Sequence, residues 1–204
     1  MANFVKEILR TEAHSLEEIR VALDDAEKVH KQFVPLLKEH HDYLLESIAA
    51  ITDKDSTDLQ KQDHLERFFR LVHMHGKAEQ EVLYAHLKGS DEKEARLAGF
   101  AGQDEHDLAF LMESELLEMG YKSNWNEQIE AKAKVVAGLL KNHIKEEESL
   151  MFPIAEANMT EEELEDMRDA YIQKCIGYLI NDRAQALMSG SWHMGQYEDT
   201  SRNH

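Results

Sequence analysis

Cysteine is nearly absent: Cys175 is the only one in 204 residues. That excludes an internal disulfide and any cysteine-built zinc or iron–sulfur cluster. A lone thiol fits a reducing compartment, so the expected location is cytoplasmic. Proline occurs only at Pro35 and Pro153, and glycine nine times. With Ala, Leu, Glu, Lys and Met dominating the rest, long helices are favoured over sheet. No window approaches the roughly 18 apolar residues that a membrane span needs. The opening stretch from Met1 to Arg10 has too short an apolar run for a signal peptide. Basic residues are also scarce, 23 against 41 acidic ones, for a net charge of -18. This balance argues against a nucleic-acid surface, which needs clustered Lys and Arg, and against docking on anionic membranes.

What the chain has in plenty is histidine, twelve in all. The helical pattern places them. Ser15 and Glu18 form a capping-box pattern that opens a helix to about Phe33. Pro35 then either starts a new helix in its first turn or kinks a continuing one. From Leu37 the stripe Leu37, His41, Leu44, Ile48 and Ile51 keeps one face inward. A second helix, about Thr57 to Leu87, carries Leu65, Phe68, Val72, His75, Glu79 and Val82 on one face, and Gly89 and Ser90 stop it. A third, about Asp91 to Met119, has His106, Phe110, Glu113 and Leu117 in register and is interrupted or loosened by Gly99 and Gly102. Asn124 to Glu127 reads as a capping box for a fourth helix reaching about Ala157, with Val136, Leu140, His143, Glu147, Leu150 and Ile154 aligned. Thr160 and Glu163 cap a short terminal helix to about Ile180. The expected architecture is an all-α, antiparallel up-down-up-down four-helix bundle. Residues 1–33 are expected to be an N-terminal helical extension, 34–180 the bundle with its C-terminal helix, and 181–204 a flexible polar tail.

Imidazoles and carboxylates on inward faces are costly unless something satisfies them, because an unpaired buried charge costs several kcal/mol or takes up a proton. A cation removes the conflict by pairing with the carboxylates and accepting neutral imidazole lone pairs. The spacing His-x-x-x-Glu occurs at His14–Glu18, His75–Glu79 and His143–Glu147. In a chain this rich in Glu, about one or two such pairs are what chance gives. His14–Glu18 lacks an apolar stripe and reads as solvated. The other two share both the stripe and an apolar-aromatic pair, Leu83-Tyr84 and Met151-Phe152, at the same distance past each His.

With these residues the chain resembles the hemerythrin family, specifically the bacterial hemerythrin-like HHE cation-binding domains, over about residues 34–165. The resemblance rests on a His in helix one, the two His-x-x-x-Glu segments, Glu105-His106 in helix three, and Phe152-Pro153 closing the last segment. It implies a hemerythrin-like bundle around two non-haem iron ions with an oxo or hydroxo bridge. Carried over residue by residue, the implied ligands are His75, Glu79, His106, His143 and Glu147. Helix one offers His40 or His41, and His41 is preferred because Leu44, Leu45, Ile48 and Ile51 follow it on the inward side. Glu148 is the lesser rival of Glu147, because oxygen-carrying hemerythrins place that carboxylate one residue later. His40, Glu113, Tyr84 and Glu148 are the expected neighbours of the ligands.

Oxygen carriers have a further His one turn after the helix-three ligand, where this chain has Phe110. Of about twelve positions on two octahedral ions, the implied set fills about ten, against about eleven in a carrier. The set resembles that of proteins that repair iron centres after nitrosative stress, although the Cys-x-x-Cys segment usual in those proteins is missing. The expected function is to bind or react with dioxygen, nitric oxide or peroxide, as a sensor, scavenger or low-rate di-iron oxidoreductase. Reversible oxygen or iron carriage, iron donation to damaged iron–sulfur centres, and a helical interaction module with a vestigial or zinc-filled site are the alternatives. The expected partner is a diatomic ligand, with no nucleic acid and no membrane, and the terminal helices could serve a protein partner or a homodimer.

Overall fold

The computed structural model describes residues 32–188, with side chains described up to 179. The capping pattern at Ser15 lies outside the described residues. Within them the chain is helical and contains no strand. No described helix is long and apolar enough to cross a membrane.

Four long helices form the bundle: α1 (Phe33–Thr52), α2 (Asp58–Glu81), α4 (Lys93–Glu118) and α5 (Glu127–Glu146). A short α3 (Leu83–Gly89) follows α2 across Val82, and α6 (Phe152–Asn158) follows α5 after an intervening π-helical turn. α1 packs on α2 and α5, and α4 on α2 and α5, so the four long helices close a ring. A fifth long helix, α7 (Glu161–Met188), lies against α2 and α1.

Local chemistry sets the ends. Pro35 sits in the first turn of α1, where its missing N–H costs nothing. At α2, the Thr57 hydroxyl accepts from Gln60 N–H and the Gln60 side chain returns to the Thr57 N–H. The same reciprocal pair joins Thr160 and Glu163 before α7. The start of α5 differs from the expected box at Asn124. Its cap is Asn126, whose side-chain oxygen accepts from both Gln128 and Ile129 N–H at 3.0 Å. α4 ends before Gly120, which adopts φ 76°, a left-handed conformation that glycine tolerates.

Three further expectations are corrected. The helix expected from Thr57 to Leu87 breaks at Val82, whose backbone leaves ideal helical angles at φ -109° and ψ -71°. α4 runs through Gly99 and Gly102 without interruption. These glycines serve close packing: a Cβ on Gly99 would stand 3.0 Å from Leu87 Cβ, and one on Gly102 only 2.8 Å from Tyr84 Cζ. The break at Val82 therefore lets α3 lie down on the glycine face of α4. The terminal helix reaches Met188 and not Ile180. No Gly or Pro occurs between Asn181 and Met188, so nothing in that stretch stops a helix where the apolar stripe fades.

Candidate metal centre

Each long helix of the ring contributes a buried imidazole or carboxylate to its interior. His41 comes from α1, His75 and Glu79 from α2, His106 from α4, His143 from α5, and Glu147 from the π-turn. All six, and His40 beside them, are exposed by 1% or less. The His-x-x-x-Glu spacing stacks each pair one helical turn apart, so His75 Nε2 stands 3.0 Å from Glu79 Oε2 and His143 Nε2 3.3 Å from Glu147 Oε2. Each carboxylate also faces a histidine from another helix. Glu147 Oε2 lies 3.0 Å from His41 Nε2, and Glu79 Oε2 lies 3.8 Å from His106 Nε2.

Two donor sets result. His41, His75, Glu79 and Glu147 bring ligand-type atoms within 4.8 Å of one another, and so do Glu79, His106 and His143. The carboxylates stand between a histidine pair from α1 and α2 and a pair from α4 and α5. Although these atoms are close, they are poorly aimed for hydrogen bonding. His41 Nε2, His75 Nε2, both oxygens of Glu79 and Glu147 Oε2 are buried without a hydrogen-bond partner. A concentration of orphaned acceptors is unfavourable in a packed interior and is the donor set that a cation satisfies.

The outer ring nitrogens are held. His41 Nδ1 is 2.9 Å from Glu148 Oε1, His143 Nδ1 is 2.7 Å from Glu105 Oε2, and His75 Nδ1 is 2.7 Å from the Tyr171 hydroxyl. A proton on Nδ1, donated to these oxygens, leaves Nε2 as a free lone pair facing the centre. His106 packs closely on Gly76: a Cβ there would be 3.0 Å from its Nδ1, so the ring would have to give by a few tenths of an ångström. Phe152 stacks on His41 at 5.5 Å between centroids and forms an apolar wall. Tyr84 is fully buried and donates to Glu147 Oε1 at 2.5 Å, with its oxygen 3.1 Å from His143 Nε2.

Ionisation follows the same conflict. Burial, and then the charge of Glu147, push the Glu79 carboxyl well above the usual range. Burial also acts to raise Glu147, but His143 and His41 outweigh it and hold this carboxyl well below its ordinary value. Burial lowers His106 to about 3, helped by His143. It lowers His75 well below the ordinary value too, helped by His41 and His40. Burial works against a charge on His143 as well, yet Glu147 and Glu105 raise it to about 9. Two carboxylates this close are not both ionised without a cation between them.

A family model, the hemerythrin HHE cation binding domain, matches residues 32–155, more than half of the chain. The chain belongs to the hemerythrin HHE family. Comparison with curated proteins and with solved structures gives no match. In this hemerythrin-type domain, the structure brings together His41, His75, Glu79, His106, His143 and Glu147, with Tyr84 and Glu148 against them. His40 points elsewhere: its Nδ1 meets the Tyr171 hydroxyl at 2.6 Å, on the α7 side of α1. The Glu113 carboxylate is bonded to His73, which stacks on Phe110 at 4.7 Å, and it does not reach the ligand-type atoms.

Sequence reasoning gave Glu105 and Tyr171 no place at the site and did not foresee the π-turn. Glu105 precedes His106 by one residue, which rotates it about 100° around α4 towards α5. Tyr171 had a signal, because Met167, Tyr171, Cys175 and Leu179 recur every four residues and are all buried. The π-turn Glu147–Met151 leaves no mark in composition. It places Glu147 and Glu148 at the two nitrogens of one imidazole, and π-turns are frequent at functional sites.

Proposed function

We propose that this HHE domain holds two non-haem iron ions and binds or reacts with dioxygen, nitric oxide or peroxide. His41 and His75 serve one ion, His106 and His143 the other, and Glu79 and Glu147 are shared. The observation that carries the reading is the pair of donor sets meeting at Glu79, with Glu147 within 3.3 Å of a histidine on each side and orphaned nitrogen and oxygen atoms turned towards each other. Neutral imidazole with carboxylate suits iron better than the oxygen-only sets of magnesium or calcium. When bound, the iron pair supplies electrons and open coordination positions for a small ligand.

The protein's own residues orient and insulate that chemistry. Glu148, Glu105 and Tyr171 hold the imidazole tautomers. Phe152 and Met151 keep the centre dry. The Tyr84 hydroxyl, held protonated by burial and by Glu147, is a proton donor beside Glu147. Phe110, one turn beyond His106, offers no donor atom, and this supports an open position and reactivity over reversible carriage.

The test is metal analysis with an optical spectrum of protein purified with and without air. Two irons per chain and a near-ultraviolet charge-transfer band are expected, both lost in His75→Ala and Glu147→Ala. Folded, metal-free protein from iron-replete cells that takes up no iron on anaerobic titration would overturn the reading. Mixing the reduced form with oxygen, nitric oxide and peroxide in turn then identifies the reactant.

A further inference from the structure

His40 and His41 are adjacent, so their side chains leave α1 about 100° apart and cannot both enter the ring of four helices. His41 enters it. His40 is nonetheless fully buried, in the seam between α1 and α2 that α7 covers with Met167, Tyr171, Ile172 and Cys175. The Tyr171 hydroxyl spans this seam, 2.6 Å from His40 Nδ1 and 2.7 Å from His75 Nδ1. Its ring is wedged edge-on against Phe33 at 5.8 Å.

A hydroxyl has two lone pairs and one proton. It can therefore accept Nδ1–H from His75 while its own proton goes to His40 or to Cys175, whose side chain also bonds it. Among the candidate ligands, His41 and His143 have their outer nitrogens held by carboxylates of the ring or its π-turn. His75 depends on a group from α7, beyond the family-matched residues 32–155.

We propose that Tyr171 is a positioning residue for the metal centre: by holding His75 Nδ1 from α7, it couples docking of that helix to metal loading. The inference rests on the metal-binding reading above. Loss of an outer partner of a metal-bound histidine lowers affinity about 10–100-fold. Coupling is reciprocal, so metal must in turn favour the docked helix. α7 is otherwise tied to α2 through Glu81, which pairs with Lys174 and accepts from Tyr178. Those bonds do not touch the histidines.

The experiment titrates ferrous iron anaerobically, with a competing chelator, into the wild type, Tyr171→Phe and Tyr178→Phe. Amide exchange across Tyr171–Leu179 is followed with and without iron. Tyr171→Phe is expected to lose affinity about 10–100-fold, while Tyr178→Phe stays within about twofold of the wild type. Iron should slow exchange in α7 of the wild type, and much less in Tyr171→Phe. The exchange measurement on the wild type needs no variant to fold. Unchanged affinity in Tyr171→Phe, equal losses in the two variants, or iron-insensitive exchange in α7 would overturn the proposal while leaving the iron reading intact. A wild type that takes up no iron overturns both.

Discussion

Two glycines in helix interiors should respond to alanine in opposite directions, and the contrast tests the packing that holds Tyr84 in the centre. Gly138, on α5, is exposed, and a Cβ there meets nothing within 4 Å. Gly138→Ala should therefore give the full propensity gain, about 1 kcal/mol, and raise Tm by about 2–4 °C. Gly102→Ala gains the same local term, but its Cβ would stand 2.8 Å from Tyr84 Cζ and 3.1 Å from both Tyr84 Oη and Met151 Cε. Tyr84 and Met151 are buried, so neither can swing into solvent. Overpacking of this kind costs about 1–3 kcal/mol. Displacing the tyrosine also strains its bond to the Glu147 carboxylate, worth about 1.5–3 kcal/mol. The net expectation is a loss of about 1–4 kcal/mol, a fall in Tm of about 3–12 °C, with weaker metal binding. Thermal unfolding of the metal-free proteins gives the sign, and chelator competition the affinity. A Gly102→Ala protein as stable as Gly138→Ala, with unchanged affinity, would refute the close approach of α4 to Tyr84.

Metal loading near pH 7 should release about one proton per chain from His143, which Glu147 and Glu105 raise to about 9, and the upward push of burial on Glu79 adds to that release. Calorimetric titration in buffers of different ionisation enthalpy measures this, and heat independent of buffer would contradict it. Glu79 also makes a pH prediction for the metal-free protein. Its folded carboxyl keeps a proton that the unfolded chain gives up near 4.5, so its contribution is full below that pH and declines as pH rises towards the raised folded value. Glu79→Gln should flatten that decline in denaturant unfolding while abolishing metal uptake; an unchanged pH profile would argue against a protonated Glu79. Tyr84→Phe removes the 2.5 Å bond to Glu147 and should cost about 1.5–3 kcal/mol, read by urea unfolding of the metal-free form. Glu105→Ala, which frees His143 Nδ1, should bring the His143 titration down from about 9, observable by NMR of the ring.

The sequence by itself determined the helices and the inward residues. Scarce Gly and Pro, capping pairs such as Thr160 with Glu163, and stripes recurring every three or four residues report local energetics, which act within a turn or two of chain. The two His-x-x-x-Glu segments were legible for the same reason, since one helical turn places both side chains on one face. Only the tertiary structure decided what lay between helices. The apolar stripe favoured His41 over His40 as the inward residue, but only packing against α7 gave His40 its place in the seam. Glu113 has the right register for the interior, yet a neighbouring histidine on α2 takes its carboxylate. Gly99 and Gly102 look like helix breakers along the chain, and become close contacts once α3 is laid against them. Tyr171 reaches His75 across 96 residues of sequence. No periodicity encodes such a contact, because it depends on where α7 comes to rest against α1 and α2.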